Sequence, residues 1–156
     1  MRVLAALLLA ASLFSPALSA QRIMFDGGGR LDHFIERYNE WRRTGELVVI
    51  DGMCISACTL VTGLIEPHRI CATPYARLAF HSAAWVNMKT GERTFAREAT
   101  RIIWSIYPPH VREILIRYGW QDGMEHADLI YIEGDDLHAM IRPCTPDDML
   151  EMHSGA

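Results

Sequence analysis

The run ELVVI, residues 46 to 50, carries four successive aliphatic side chains with no polar residue between them. A strand with that pattern has no wet face, so it belongs inside a mainly parallel sheet with helices on both sides. Its neighbours fit that arrangement. Upstream, RLDHFIERYNEWRR places Leu31, Phe34, Ile35, Tyr38 and Trp41 at helical spacing with charges opposite, and Thr44-Gly45 closes the helix. Before it, RIMF reads as a strand running into the glycine loop of Asp26 to Gly29. Downstream, residues 57 to 65 are apolar or small and stop at Pro67, which predicts a buried helix starting just after Ser56. RICATPYARLAFHSA supplies two β-prone pieces split at Thr73-Pro74, with His81 near its end. A loop, NMKTGERT, precedes an amphipathic stretch that Pro108-Pro109 breaks and HVREILIRYG resumes. DLIYI then reads as a strand and DLHAMIR as a short helix. Strands alternating with helices predict an α/β fold.

The first twenty residues join Arg2 to an apolar run from Val3 to Phe14, then small residues after Pro16. This is the pattern of a secretory signal peptide, and the apolar run is short for roughly 30 Å of hydrocarbon. The protein is therefore expected in the periplasm or outside the cell, the alternative being an uncleaved N-terminal anchor. Residues 21 to 144 are expected to form one domain, and residues 145 to 156 a disordered tail. Acidic and basic residues are interspersed at a net charge of −4, so no basic stripe marks a nucleic-acid partner. Four cysteines addressed to an oxidising compartment allow two disulfides and three connectivities.

The stretch DGMCISACTLV sets Ser56 midway between Cys54 and Cys58 at a strand-to-helix turn. Such a turn exposes a serine, and the first N–H groups of the helix lack internal partners, so the Ala57 N–H is placed to stabilise an oxyanion. Serine is also a preferred helix cap, which is the structural reading of the same residue. The G-x-S-x-G elbow of the α/β-hydrolases is absent. The C-x-x-x-C spacing differs from the C-x-x-C of thiol oxidoreductases, and neither C-x-x-C nor H-x-x-x-H occurs, so no metal site and no cofactor are expected. In a parallel sheet the glycine loop, Ser56 and His81 follow three successive strands and share the carboxyl edge, where α/β proteins place their sites.

Together these segments resemble the ClpP-like superfamily of serine peptidases, which includes the crotonases. DGGGR is similar to that family's glycine-glycine oxyanion loop, CISAC occupies the place of its nucleophile turn, and PYARLAFHSA is similar to its Pro-x-x-Arg-x-x-x-His segment. Ser56 lies 25 residues before His81, as in the family. The resemblance covers residues 22 to 83 well and the rest loosely, and is nearest to small exported bacterial members with a C-x-S-A-C-T turn. It implies a ClpP/crotonase-like fold and a serine hydrolase acting on a peptide or protein. Ser56 would be the nucleophile and His81 the general base. The N–H groups of Gly29 and Ala57 would form the oxyanion hole, with Gly28 as the alternative. Asp128, 47 residues after His81, falls where the family's orienting acid would stand. It further implies a Cys71–Cys144 bridge, with Cys54 and Cys58 either bridged across the turn or buried as thiols. The segments with which Clp peptidases engage an ATPase are missing, so no ATPase partner is expected, and a homo-oligomer stays open. Two other readings stand beside it. One is a ClpP-like fold kept as a non-enzymatic binding or assembly module. The other, a thioester-directed crotonase, fits poorly with an exported chain.

Overall fold

The computed structural model describes residues 20 to 154. Among the described residues, seven strands and six α-helices follow one another: β1 (Ala20–Asp26), α1 (Leu31–Thr44), β2 (Leu47–Ile55), α2 (Val61–Leu64), β3 (Ile70–Ala72), β4 (Arg77–Phe80), β5 (Ala84–Val86), β6 (Arg93–Phe95), α3 (Arg97–Ile106), α4 (Pro109–Arg117), β7 (Ile130–Ile132), α5 (Gly134–Met140) and α6 (Pro146–Ser154). A 3-10 turn, Ser56–Leu60, joins β2 to α2. The main sheet runs β1-β2-β4-β7, with β3 also on β2. Strands β1, β3 and β4 are parallel to β2, and β7 is antiparallel to β4. The fold is α/β with a mainly parallel sheet. The expected signal segment, residues 1 to 20, lies outside the described residues apart from Ala20, which opens β1. Among the described residues, no helix is long and apolar enough to cross a membrane.

Strand β2 organises the rest. Val48 and Ile50 point into the main core beside Phe34, Tyr38, Leu60, Leu78, Phe80 and Tyr107. Leu47 and Val49 point the other way, into a smaller cluster with Cys71, against which Ala20, Cys144 and Met149 pack. The unalternating run is thus buried on both faces, because each face has its own cover. Removing those side chains from water contributes roughly 1.5–3 kcal/mol apiece. Midway along β2 the pairing with β1 slips by one residue, from Ile23↔Ile50 to Phe25↔Met53. Gly52 sits at the slip, where a Cβ would lie 1.9 Å from the Met24 carbonyl oxygen. Beyond it, Asp26 pairs with Cys54. Asp51, on the same bulge, accepts from Thr73 Oγ1 at 2.6 Å and pairs with Arg22, tying the break between β3 and β4 to β2.

Two segments depart from the sequence expectation. Residues 84 to 95 form a hairpin of β5 and β6, not a simple loop leading into a helix. The expected disordered tail instead contains α6. Thr145 and Asp148 cap it reciprocally: the Thr145 N–H donates to Asp148 Oδ2 at 2.7 Å, and the Asp148 N–H donates to Thr145 Oγ1 at 3.3 Å. Arg142 grips both oxygens of Asp148 at 2.7 and 2.8 Å and holds its carboxyl well below the usual carboxylate range. The segment is ordered because Met149 and Cys144 cover the second face of β2.

Both disulfides are formed, Cys54–Cys58 across the serine turn and Cys71–Cys144 from β3 to the segment between α5 and α6. Backbone hydrogen bonds frame the second: the Ala72 N–H donates to the Arg142 carbonyl at 2.9 Å and the Cys144 N–H to the Ala72 carbonyl at 3.0 Å. Two bridges fit a protein matured in an oxidising compartment.

Candidate functional site

Ser56 directly follows β2 and opens the 3-10 turn with φ 59°, the one non-glycine residue at positive φ among those described. An L-residue there costs about 1–2 kcal/mol, so the surroundings must impose it. Two do. The Cys54–Cys58 bridge closes around residues 55 to 57 with Cα atoms 5.4 Å apart, and both sulfurs are buried. Thr59 Oγ1 donates to the Ser56 carbonyl at 2.6 Å, and that hydroxyl lies 2.6 Å from the buried phenol of Tyr107. The Ser56 side chain does not cap the 3-10 turn. Half-buried, its hydroxyl has no hydrogen-bond partner among the described residues.

The glycine loop presses directly on this turn. A Cβ on Gly28 would lie 2.6 Å from the Ile55 carbonyl oxygen and from Ser56 Cβ, and 3.0 Å from the Ala57 nitrogen. With φ 78°, Gly28 is a position where only glycine fits both the conformation and the space. Its N–H donates to Asp26 Oδ1 at 2.9 Å, and so is already occupied. The Gly29 N–H donates to nothing among the described residues. The Ala57 N–H belongs to the unpaired first turn after β2.

His81 follows β4, whose Ala79 pairs with Ile55 of β2, so Ser56 and His81 leave adjacent parallel strands at the same edge. The ring is half-buried, and its Nδ1 lies 2.6 Å from the Ser82 carbonyl. A carbonyl only accepts, so Nδ1 carries the proton and Nε2 presents a lone pair. Burial lowers the His81 pKa below 6.5, the Arg93 charge acts the same way, and the Ser82 carbonyl opposes both. Ser82 is itself anchored, its N–H donating to the His126 carbonyl at 2.9 Å and its hydroxyl to the same oxygen at 3.1 Å.

Asp128 does not take the orienting position. Its backbone is nearby, with the carbonyl 3.0 Å from His126 Nδ1, but the side chain is exposed and has no partner among the described residues. The Ser82 carbonyl already holds the nitrogen an acid would have held. Among the described residues, no group of three or more acidic, histidine or cysteine side chains is placed to hold a metal ion.

Two residues that sequence reasoning passed over stand behind the loop. Asp26 accepts from Gly28 through one oxygen and from Arg37 Nη2, at 2.8 Å, through the other. The signals were present: an aspartate two residues before a glycine in DGGG is an Asx-turn pattern, and Arg37 interrupts the apolar stripe of Phe34, Tyr38 and Trp41. The surface depression on α3 and α4, lined by Trp104, Pro109, Arg112, Glu113 and Ile116, includes none of these groups. In comparison with known proteins, the chain matches no family model and no curated protein.

Proposed function

We propose that the protein is an exported ClpP-like serine hydrolase that cleaves peptides or proteins, with Ser56 as nucleophile and His81 as general base. The observation that carries this reading is Ser56 itself, a serine held at positive φ on a strand-to-helix turn, its hydroxyl unspent on capping, with Gly28 packed against it. Strain of that size at a polar residue is characteristic of functional turns. In the reaction, Ser56 Oγ attacks the acyl carbon while Nε2 of His81 takes its proton. The carbonyl electrons move onto oxygen, where the N–H groups of Gly29 and Ala57 would receive them. His81 then returns the proton to the leaving amine, and a water repeats the sequence on the acyl-enzyme to release the acid. The His81 tautomer fixed by Ser82 is the one this needs.

A fluorophosphonate probe tests the assignment. It should label Ser56, and Ser56→Ala and His81→Ala should each abolish labelling with the circular dichroism spectrum unchanged. Asp128→Asn should leave labelling intact, because Ser82 supplies the orienting acceptor. Absence of labelling in the wild-type protein would sink the hydrolase reading and leave the binding module in its place.

A further inference from the structure

Asp26 brings a formal negative charge to the base of the glycine loop, two residues before Gly28 and on the strand beside Cys54. Bare, it would oppose the negative charge that forms on a substrate carbonyl held by Gly29 and Ala57. It is not bare. Arg37 Nη2 donates to Asp26 Oδ2 at 2.8 Å, and the guanidinium lies over the rings of Phe34, Tyr38 and Trp41 at 4.2, 5.0 and 5.2 Å. The same nitrogen donates to the Tyr38 hydroxyl at 3.1 Å, and that hydroxyl donates to the Cys58 carbonyl at 2.9 Å. Burial raises the Tyr38 pKa, so the phenol stays a donor. Arg37 Nε is buried without a hydrogen bond among the described residues, an uncompensated cost for a residue whose only task was packing.

The geometry points to Asp26 and Arg37 as a charge-neutral brace that positions the oxyanion loop. Asp26 occupies the Gly28 N–H, leaving Gly29 to face substrate. Arg37 cancels the Asp26 charge, and through Tyr38 joins the glycine loop to the carbonyl of Cys58, at the far end of the serine turn. Both are positioning residues, and the inference rests on the hydrolase reading above. It adds a requirement that reading does not make: the acceptor at residue 26 must be kept, while its charge must be matched by residue 37.

The test is a double-mutant cycle on the rate of fluorophosphonate labelling, in which the probe's phosphoryl oxygen stands in for the oxyanion. Arg37→Gln exposes the carboxylate, and labelling should slow by about tenfold or more, on the scale of a weakened oxyanion contact. Asp26→Asn keeps an acceptor for Gly28 and removes the charge, so combining it with Arg37→Gln should restore the rate to within about threefold of wild type. A role confined to stability gives the opposite pattern, since the double variant would be no better than Arg37→Gln. Arg37→Lys keeps the charge but not the stacked fork, and should slow labelling less than Arg37→Gln does. Should Arg37→Gln not fold, Asp26→Ala decides, because losing the acceptor should slow labelling about tenfold. Wild-type labelling that is indifferent to Arg37→Gln or Asp26→Ala overturns the brace alone. Wild type that is not labelled at all overturns the hydrolase reading, and the brace with it.

Discussion

The two disulfides should contribute unequally to stability and, in reverse order, to reactivity. A bridge lowers the entropy of the unfolded chain by an amount that grows with the loop it closes. Cys71–Cys144 spans 73 residues, and the loop formula gives about 4.4 kcal/mol at 25 °C. Cys54–Cys58 spans 4 residues and gives about 1.9 kcal/mol. Cys54, Cys58 and Cys71 are fully buried and Cys144 is partly buried, and loop length sets a difference of about 2.5 kcal/mol. For the 135 residues described, an unfolding entropy of about 0.28 kcal/mol/K turns these into midpoint drops of about 16 °C and 7 °C. Equilibrium denaturation of Cys71→Ala/Cys144→Ala against Cys54→Ala/Cys58→Ala measures the first ranking. Labelling measures the second. The short bridge is one of the two restraints on Ser56 at φ 59°, so without it only Thr59 holds the turn. The short-bridge variant should therefore lose most of its labelling while losing less stability, and the long-bridge variant should keep labelling wherever it remains folded. Equal stability losses, or a single ranking shared by both assays, would refute the reasoning.

Gly28→Ala should lower stability by about 3 kcal/mol, combining a clash with two backbone-anchored atoms at 2.6 Å and a strained φ, and should abolish labelling. Gly27→Ala, whose nearest atom is 4.0 Å away, should cost no more than about 0.5 kcal/mol, and thermal melts showing equal losses would contradict the packing account. The acid limb of the labelling rate against pH should fall below 6.5, because burial lowers the His81 pKa and keeps the ring neutral. The sign for stability follows: the neutral ring's contribution is whole above 6.5 and is lost as pH falls through the lower folded value. A limb at or above 6.5 would mean that a different group acts as the base.

The sequence announced its strands and turns where one physical signal dominated. Four aliphatics in a row sufficed for β2, three glycines for the loop, and Thr73-Pro74 for the break between β3 and β4. It was misread where two signals competed. In the last segment, acidic residues and a small-residue end resembled solvent-exposed chain, although Thr145-Pro146-Asp147-Asp148 spells a capped helix start. The β5–β6 hairpin was missed because Trp85 and Val86 are exposed neighbours, so no alternation marked the strand. Asp128 failed for a different reason. A backbone carbonyl can hold the same imidazole N–H that a carboxylate would, and carbonyls leave no trace in a sequence.

The order of the bridges along the chain bears on maturation. Each cysteine is joined to the next one in sequence, 54 to 58 and 71 to 144, which is one of the three pairings that four cysteines allow. A chain delivered N-terminus first to an oxidant presents Cys54 and Cys58 together, with only three residues between them, while Cys144 is still to come. Once that pair has closed, Cys71 has no wrong thiol within its own chain to capture, and waits for the one partner left. Oxidation in order of arrival therefore yields the native pattern directly, without the slow reshuffling that interleaved bridges require.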